Sequence, residues 1–412
     1  MPGGSTLRTD GLSGWLAEPD RQESHSVPGR GYDRAVAIKI LHTSDWHVGR
    51  RIRGRDRSEE HRAVLDELVE IGASNAVDLT VVAGDVFDRS SPTPAAEEIV
   101  WRALLDLAEI APVLVVAGNH DNPRRLDAVA PVAAAGRITL LGAPRPPDSG
   151  GTVELSDLGV KAALLPFVSQ RGIVGVEEIM NLDPDQHAGE YQDRLRRVID
   201  RLTEDMTPDT VNLLVSHLTV YGAKAGGGER EAHIFGYALP ATAFPGHLSY
   251  VALGHLHRLQ RIPHPGAVWY SGSPLQLDFG EVDDDKGALI VEAEPGLPAR
   301  VTQVPHRAGR RLVTLRGTLD QVLARADEVA DAWVKVELDE EGRVGLADEV
   351  RRAIPGAVAV SVLPAERKAP EVDEPRRSLD PRRAFSSYLD DQGVDDPRIE
   401  DLFAELLDEA AG

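Results

Sequence analysis

The sequence has 412 residues, which is long for a single domain and predicts two or three. Its 42% hydrophobic and 27% charged residues are typical of a globular protein, and 5% aromatic content predicts a core of Val, Leu, Ala and Ile. The absence of cysteine excludes disulfides and thiolate metal sites and suits a reducing compartment. The net charge of −22 argues against nonspecific DNA binding by the whole surface, but it leaves room for a local basic face.

The N-terminal segment, residues 1–35, has no continuous apolar stretch and does not resemble a secretory signal. We expect it to be a disordered extension or the result of a start site assigned too early. No apolar stretch elsewhere approaches the roughly 18 residues that a membrane helix needs. The sequence therefore predicts a cytoplasmic protein without a membrane partner.

Residues 36–279 alternate between two patterns. Short apolar runs that end in polar residues predict buried strands, and the segments between the first three of them have helical periodicity. This β-α-β-α-β order predicts a layered α/β fold. The strands are predicted in "AVAIKILHTSD", "VDLTVVAGD", "APVLVVAGNHD", "VNLLVSHLTV", "LSYVALGHLH" and "AVWYSGSP", with a hairpin in "GTVELSDLGVKAALLP".

Residues 280–365 predict a small α+β domain. It opens with the hairpin pattern "KGALIVEAEPGLPARVTQVP" and continues as alternating strand and helix patterns. Residues 366–380 are rich in proline and charge and predict a linker. Residues 381–412 carry two short amphipathic helical patterns, marked by Phe385, Tyr388, Leu389, Ile399, Leu402, Phe403, Leu406 and Leu407. Such a helix pair cannot bury its apolar stripe alone, so we expect it to dock on a partner or on its own chain.

Polar residues of the metal-ligand types follow each predicted strand of the first domain. They are Asp45, His47, Asp85, Asn119, His120, His217, His255 and His257. Ligand sites in open α/β sheets form at the carboxyl ends of strands, where all of these residues lie. Taken singly, each could be a helix cap, a satisfied polar residue or, in "GNHD", an Asn-rich turn. Taken together, five strand ends that carry only His, Asp and Asn favour a functional site.

The chemistry that this set suits is hydrolysis of a phosphate ester. That reaction needs a nucleophile at neutral pH and neutralisation of charge on the phosphoryl oxygens, and two metal ions roughly 3.5–4 Å apart provide both. Nitrogen and oxygen ligands favour borderline or hard divalent ions, such as manganese, over a thiolate zinc site.

The ordered motifs D-x-H, G-D-x-x-D, G-N-H-D, a later single His and G-H-x-H resemble those of the calcineurin-like metallophosphoesterases. Within that superfamily the chain resembles the SbcD-type nuclease subunits of DNA repair, over about residues 38–410. This resemblance depends on "ILHTSDWHVGR", "VVAGDVFDRSSPTPAA", "VVAGNHDNPRRL", "GHLHRLQ" and "YSGSPLQLDFGE". It implies a layered metallophosphoesterase sandwich, a small capping domain that helps to position DNA, and a helical tail.

The resemblance also implies a role for each motif residue. One ion would be held by Asp45, His47 and His257, and the other by Asn119, His217 and His255. Asp85 would bridge the two ions. His120 would protonate the leaving oxygen or stabilise its charge, and Asp88 would orient His120. Asp121 is expected to brace the loop. The ions would be two divalent cations, with Mn²⁺ favoured and Mg²⁺ possible.

A family member of this type would be a metal-dependent exonuclease and endonuclease acting on DNA ends and hairpins in repair, recombination and replication. Its partners would be DNA and an SbcC-type coiled-coil ATPase bound by the tail helices, with a homodimer of this chain inside a heterotetramer. A phosphatase or phosphodiesterase acting on small or protein substrates is the alternative function. A non-catalytic scaffold is a third, which the complete ligand set disfavours.

Arginines around the first three motifs are candidates for contacting DNA phosphates. The stretch "GRRIRGRDRSEEHR" contains Arg50, Arg51, Arg53, Arg55 and Arg57, and Arg89, Arg124 and Arg125 follow the next two motifs. The alternative interpretation is a set of solvated loop side chains.

Overall fold

The computed structural model describes residues 37–169, 171–180, 191–227 and 238–363, with a few further positions between 385 and 403. The predicted extension at 1–35, the linker at 366–380 and most of the tail at 381–412 lie outside the described residues. Among the helices that can be described, none has both the length and the apolar character needed to cross a bilayer.

Residues 38–141 alternate strand and helix, and the β-α-β-α-β order that the periodicity predicts runs from β1 to β3. The elements are β1 (Ile38–Thr43), α1 (Ser58–Asn75), β2 (Leu79–Val82), α2 (Pro94–Ile110), β3 (Val113–Val116), α3 (Pro123–Ala135) and β4 (Ile138–Leu141). Both α2 and α3 begin with a proline in the first turn, preceded by a capping residue. Thr93 accepts a hydrogen bond from the backbone of Ala96, and Asn122 accepts one from that of Arg125.

The next part of the chain builds a second sheet with its own helices. Its elements are β5 (Thr152–Leu155), β6 (Val160–Leu165), α4 (Ile173–Ile179), α5 (Tyr191–Thr203), β7 (Val211–His217), β8 (Thr219–Val220), β9 (Ala238–Leu239), β10 (Tyr250–Gly254), β11 (Gln260–Arg261) and β12 (Ala267–Tyr270). The predicted hairpin is the antiparallel pair β5–β6.

Two more strands follow, β13 (Gly287–Ala293) and β14 (Arg300–Pro305). The sequence assigns this hairpin to the second domain, but β13 pairs antiparallel with β1 and extends the first sheet. The boundary predicted at residue 280 therefore differs from the observed pairing, since the first sheet continues to Pro305. The physical reason is that β13 is apolar and almost fully buried. It pairs with the edge of β1 that β2 does not occupy.

Two six-stranded sheets pack face to face. Their strand orders are β14-β13-β1-β2-β3-β4 and β11-β12-β10-β7-β6-β5. The apolar core between them includes Ile40 and Leu114 from the first sheet and Leu213 and Ala252 from the second. Helices α1 to α3 cover the outer face of the first sheet, and α4 and α5 cover that of the second. The result is the predicted layered α/β sandwich.

The remaining described elements form the small domain. They are β15 (Leu312–Gly317), α6 (Leu319–Leu323), β16 (Trp333–Leu338), α7 (Leu346–Ala353) and β17 (Ala357–Val362), with the three strands parallel and β16 central. Their helices cover one face over a separate core. A smaller cluster of Ile52, Phe279 and Leu312 packs this domain against the sandwich.

Candidate metal centre

The carboxyl ends of β1, β2, β3, β7 and β10 meet at one edge of the sandwich, and all seven predicted metal ligands lie there. Backbone hydrogen bonds hold the loops together at this edge. The amide of Asp45 donates to the carbonyl oxygen of Gly84 at 2.9 Å, and that of His47 donates to Asp85 at 3.0 Å. These two bonds join the loops after β1 and β2 of the first sheet, and the second sheet is joined to them by the backbone amide of His255, which donates to the Asp45 carboxylate at 3.0 Å.

A first group of ligand atoms comes from Asp45, His47 and His257, all within 4.8 Å of one another. The Nε2 atoms of His47 and His257 are 3.2 Å apart. The carboxylate of Asp45 accepts hydrogen bonds from Ser44 Oγ at 2.6 Å and from the backbone amide of His255 at 3.0 Å. These contacts hold the carboxylate beside the two imidazoles.

A second group comes from Asn119, His217 and His255. Asn119 Oδ1 lies 3.0 Å from His217 Nε2 and 2.8 Å from His255 Nδ1, and the two nitrogens are 3.3 Å apart. Nδ1 of His217 donates to the carbonyl oxygen of Ala83 at 2.8 Å, which leaves Nε2 to face the group.

Asp85 lies between the two groups. Its Oδ2 is 3.5 Å from His47 Nε2 and 3.4 Å from His217 Nε2. Its Oδ1 accepts a hydrogen bond from the backbone amide of His120 at 2.8 Å. This placement of a buried carboxylate is what a residue shared by two ions requires.

The chemistry of the donor set fits divalent ions. Imidazole nitrogens face one another in the pairs His47–His257 and His217–His255, an arrangement that is repulsive unless a proton or cation lies between them. Burial lowers the pKa of His47 well below its usual value and that of His255 to about 3, so both are neutral imidazoles, the form that binds metal.

The acidic members respond to the same surroundings. Burial raises the pKa of Asp45. For Asp85, burial also acts to raise the pKa, but the charge of His217 and the hydrogen bond from it outweigh burial and hold the pKa below its usual value. Burial acts to lower the pKa of His217, and attraction to Asp85 raises it to about 9. The ionised carboxylates of Asp45 and Asp85 would be unstable in this buried position without positive charge nearby.

The backbone at this edge is strained. Asp45, His47, Asp85 and His255 have φ values of 52°, 44°, 51° and 103°, and they make up four of the seven non-glycine residues with positive φ in the described part of the chain. Residues other than glycine rarely adopt positive φ values, and backbone strain of this kind concentrates at functional sites. The sharp turns direct consecutive side chains into the centre.

The glycines before the ligands have a steric reason. A Cβ at Gly84 would strike the His217 ring, and one at Gly118 would strike Oδ1 of Asp85. The G-D and G-N-H motifs therefore need glycine because a ligand from a neighbouring strand occupies the space of the missing side chain.

His120 lies at the rim of the centre, half-buried, with its ring centroid 4.8 Å from that of His47. Its Nδ1 donates to the backbone carbonyl oxygen of Asp88 at 2.9 Å. The resemblance implies that Asp88 orients His120, and the contact uses the main chain rather than the carboxylate, which pairs with Arg50 at 3.2 Å. The prediction for Asp121 is confirmed, since its carboxylate accepts from the amides of Phe87 and Gly118 at 3.0 and 2.9 Å.

The arginines fall into two classes. Arg51, Arg53, Arg55, Arg89 and Arg124 are exposed, although Arg51 donates to the carbonyl oxygen of Gly54 at 2.7 Å. Arg57 is buried, pairs with Glu60 at 2.9 Å and donates to the carbonyl oxygen of Gln276 at 2.6 Å. Its position in the cluster predicts a contact with DNA, and this prediction is wrong because the side chain is not accessible. Arg125 pairs with Glu97 at 2.6 Å.

Glu281 and Lys286 are buried beside His257, and the sequence patterns do not single them out. Glu281 Oε1 lies 2.9 Å from His257 Nδ1, and Oε2 lies 2.7 Å from Lys286 Nζ. Burial acts to raise the pKa of Glu281, but the hydrogen bond from His257 and the charge of Lys286 hold it at about 2. The only sequence signal is the motif "YSGSPLQLDFGE", which ends at Glu281.

Comparison with known proteins agrees with this geometry. Residues 38–259 match the family model described as calcineurin-like phosphoesterase, which covers more than half of the chain. Residues 308–393 match the model described as type 5 capsule protein repressor C-terminal domain. The second match covers the small domain and the beginning of the tail.

Three curated relatives match between 71% and 91% of the chain. The SbcD subunit of nuclease SbcCD from Bacillus subtilis strain 168 is 32% identical over 386 residues, which cover 90% of this chain and 97% of that protein. The corresponding proteins of Rhodobacter capsulatus and Escherichia coli K12 are 31% and 29% identical, covering 71% and 91% of this chain and 76% and 99% of their own lengths. The chain belongs to the calcineurin-like phosphoesterase family and, within it, to the group of SbcD nuclease subunits.

Proposed function

We propose that this chain is the nuclease subunit of an SbcCD-type complex in the cytoplasm. It acts as a metal-dependent exonuclease and endonuclease that hydrolyses DNA phosphodiesters at double-strand ends and hairpins, in repair, recombination and replication. The observation that carries the proposal is the convergence of two ligand groups on either side of Asp85, in a chain related over most of its length to the SbcD subunits of SbcCD nucleases.

In this proposal Asp45, His47 and His257 hold one divalent ion, and Asn119, His217 and His255 hold the other. Asp85 bridges them, which its distances of 3.5 and 3.4 Å to an imidazole of each group support. When bound, the ions supply an activated water and neutralise the phosphoryl oxygens. The ligands are nitrogen and oxygen donors, which suit Mn²⁺, with Mg²⁺ as the second candidate.

His120 is the proposed general acid. Its Nδ1–H is held by the carbonyl oxygen of Asp88 and its backbone amide by Asp85, so the ring is fixed with Nε2 free of those contacts. In the doubly protonated form, Nε2 can give its proton to the oxygen that leaves phosphorus. Asp88 acts as a positioning residue through its main chain.

The DNA backbone is proposed to run past the rim of the centre. Arg50 lies beside Asp88, and Arg89, whose side chain is 81% exposed, lies 3.6 Å from the same carboxylate. Arg51, Arg53 and Arg124 are also exposed and are further candidates for contacts with DNA phosphates. Contacts of this kind position phosphates without reading base sequence. We divide the rest of the chain into the small domain, the linker and the tail. The small domain is proposed to help position the DNA duplex.

The proposed ATPase partner is an SbcC-type coiled-coil protein that binds the helical tail. Among the tail positions that the structure describes, the rings of Phe385 and Phe403 stack 3.9 Å apart, while Ile399 and Leu402 are 38% and 56% exposed. Deletion of residues 380–412 should abolish co-purification with the ATPase and leave a folded, metal-binding chain. Undiminished co-purification would contradict the assignment of the tail.

A homodimer within a heterotetramer is the proposed assembly. Its candidate surface is formed by α2 and α3, each of which exposes a large apolar side chain: Leu105 is 49% and Val132 is 78% exposed. Exposed apolar side chains that form a contiguous surface mark sites of interaction. Leu105→Arg combined with Val132→Glu should yield a monomer in analytical ultracentrifugation, whereas an unchanged sedimentation coefficient would place the dimer interface elsewhere.

The decisive experiment compares substrates on one enzyme preparation. Linear, end-blocked and hairpin DNA are incubated with the purified chain and Mn²⁺, with and without the ATPase partner, next to a phosphomonoester. The proposal expects cleavage of DNA ends and hairpins. Efficient phosphomonoester hydrolysis with intact DNA under every condition would instead favour the phosphatase alternative.

A further inference from the structure

A buried carboxylate lies directly behind the metal-ligand candidate His257. The side chain of Glu281 is 0% exposed, and its Oε1 accepts a hydrogen bond from His257 Nδ1 at 2.9 Å. Because a carboxylate can only accept here, the proton is on Nδ1 and the lone pair is on Nε2. That Nε2 faces His47 Nε2 at 3.2 Å, on the side of the first ligand group.

Glu281 is itself held from several directions. Its Oε2 accepts from Lys286 Nζ at 2.7 Å and from the backbone amide of Leu277 at 3.0 Å. Lys286 Nζ also donates to the carbonyl oxygen of His257 at 2.8 Å and to Ser273 Oγ at 2.9 Å. Lys286 therefore fixes both the carboxylate and the main chain of the ligand that the carboxylate contacts.

Among the described residues, His217 and His47 have no carboxylate hydrogen-bonded to Nδ1, and the carboxylate of Asp88 lies 3.8 Å from His47 Nδ1, beyond hydrogen-bond distance. Nδ1 of His217 donates to the carbonyl oxygen of Ala83, and Nδ1 of His47 makes no hydrogen bond. A carboxylate draws the imidazole proton more strongly than a carbonyl does, which makes the opposite nitrogen a better donor to metal. His257 is thus built to be the strongest imidazole ligand of the first group.

We propose that Glu281 is the positioning residue of His257, and that Lys286 holds Glu281 in place. The inference rests on the proposed function, because it assigns His257 to the metal centre, and it extends the centre to two residues that do not touch metal. It also gives a role to the motif "YSGSPLQLDFGE", whose last residue is Glu281. Outer hydrogen-bond partners of this kind fix ring orientation and raise ligand basicity.

The test measures metal binding to the full chain in the absence of DNA. Glu281→Ala is combined with Lys286→Met, because removal of one partner alone would leave a buried charge unpaired. Glu281→Gln is the milder variant, since its amide oxygen can still accept from His257 and Lys286 Nζ keeps its contacts with the carbonyl oxygen of His257 and with Ser273 Oγ. Glu177→Gln is the matched control: Glu177 is also 0% exposed and pairs with Arg194 and Arg197 at 3.2 and 2.6 Å, in the contact between α4 and α5.

Isothermal titration with Mn²⁺ and metal analysis by mass spectrometry provide the readouts, and circular dichroism checks the fold. The double variant should lose about 10- to 100-fold in affinity at one of the two sites, and Glu281→Gln should lose less. The control should bind like the wild type. Affinity in the double variant within about two-fold of wild type, or an equal loss in the control, would overturn the inference.

This outcome is distinguishable from failure of the proposed function. Wild-type chain that binds two ions but leaves DNA intact would contradict the nuclease function and not the role of Glu281. Conversely, a cleaving enzyme whose double variant keeps wild-type metal affinity would contradict the role of Glu281 alone.

Discussion

His120 Nδ1 donates a hydrogen bond to the main-chain carbonyl oxygen of Asp88 at 2.9 Å, while the Asp88 carboxylate pairs with Arg50 at 3.2 Å. The orientation of the proposed acid is therefore a property of the loop after β2 rather than of the Asp88 side chain. A ring nitrogen of His120 also lies within 4.8 Å of the ligand atoms of His47 and Asp85. These distances would also allow His120 to be a metal ligand instead of an acid.

Replacing His120 separates these two roles. We expect His120→Ala to lower DNA cleavage by about 10²- to 10⁴-fold, the usual contribution of a general acid, with bound Mn²⁺ nearly unchanged. His217→Ala, which removes a proposed ligand, should lower bound Mn²⁺ as well. The measurements are single-turnover cleavage and metal analysis on the same preparations. Equal loss of metal from both variants would make His120 a ligand.

Asp88→Asn provides a second check on the same contact. It keeps the main-chain carbonyl oxygen that accepts from His120, so cleavage should fall much less than in His120→Ala. A loss as large as that of His120→Ala would show that the carboxylate has a role of its own in the reaction.

Gly118→Ala should disrupt the centre without replacing any ligand. Its new methyl group would meet Oδ1 of Asp85 and the adjacent backbone, so the bridging carboxylate or the loop must move. We expect loss of high-affinity Mn²⁺ binding in titration calorimetry and a lower unfolding temperature. Gly175→Ala, in helix α4 with no atom within 4 Å of the added carbon, is the control and should be neutral or slightly stabilising. Normal metal binding by Gly118→Ala would contradict the steric explanation.

The sequence predicts the strand ends of the site because a short buried strand and the ligand after it are local features. It does not predict that β13 pairs with β1, since that contact joins residues about 250 positions apart and depends on which edge of the first sheet is open. Helix α3 and strand β4 carry no clear periodicity, with Pro131 inside an alanine-rich stretch. Arg57 and Glu281 have the same limitation, because their partners Gln276 and His257 are 219 and 24 positions away in the sequence.

The small domain is held on the sandwich by contacts that converge on Glu60. Its Oε1 accepts from Trp333 Nε1 at 2.7 Å, and its Oε2 accepts from the backbone amide of Arg310 at 3.1 Å. Gln276 adds a contact, since its Oε1 accepts from the backbone amide of Leu312 at 2.7 Å. Arg57 holds the Glu60 carboxylate at 2.9 Å. The orientation of the small domain thus depends on a few hydrogen bonds to a charged group.

Trp333→Phe should loosen this attachment, because it removes the indole N–H and keeps an aromatic ring. A hydrogen bond to a charged group contributes roughly 1.5–3 kcal/mol, so hydrogen exchange should quicken along residues 306–312 while the sandwich core stays protected. Arg316→Ala is the control within the same domain, since it removes only an exposed ion pair with Asp339. Unchanged exchange in Trp333→Phe would place the attachment in the apolar cluster instead.

The buried imidazole of His42 should make the free energy of unfolding depend on pH. It is fully buried on β1, its Nδ1 lies 2.8 Å from Tyr250 Oη, and burial lowers its pKa from 6.5 to about 3. The folded state keeps His42 neutral, whereas the unfolded chain binds a proton near pH 6.5, so its contribution is complete above that pH and is lost as pH falls toward 3. Between pH 7 and pH 5 this group should cost about 2 kcal/mol of stability.

His42→Asn removes the titrating group and should reduce the difference in urea midpoint between pH 7 and pH 5, measured with a chelator present to keep metal from contributing. The same substitution at exposed His247 should leave that difference as it is in the wild type. Because a neutral asparagine binds no proton in either state, the variant should be relatively more resistant at pH 5 than at pH 7. An unaltered difference in His42→Asn would mean that other buried groups cause the acid sensitivity of the sandwich.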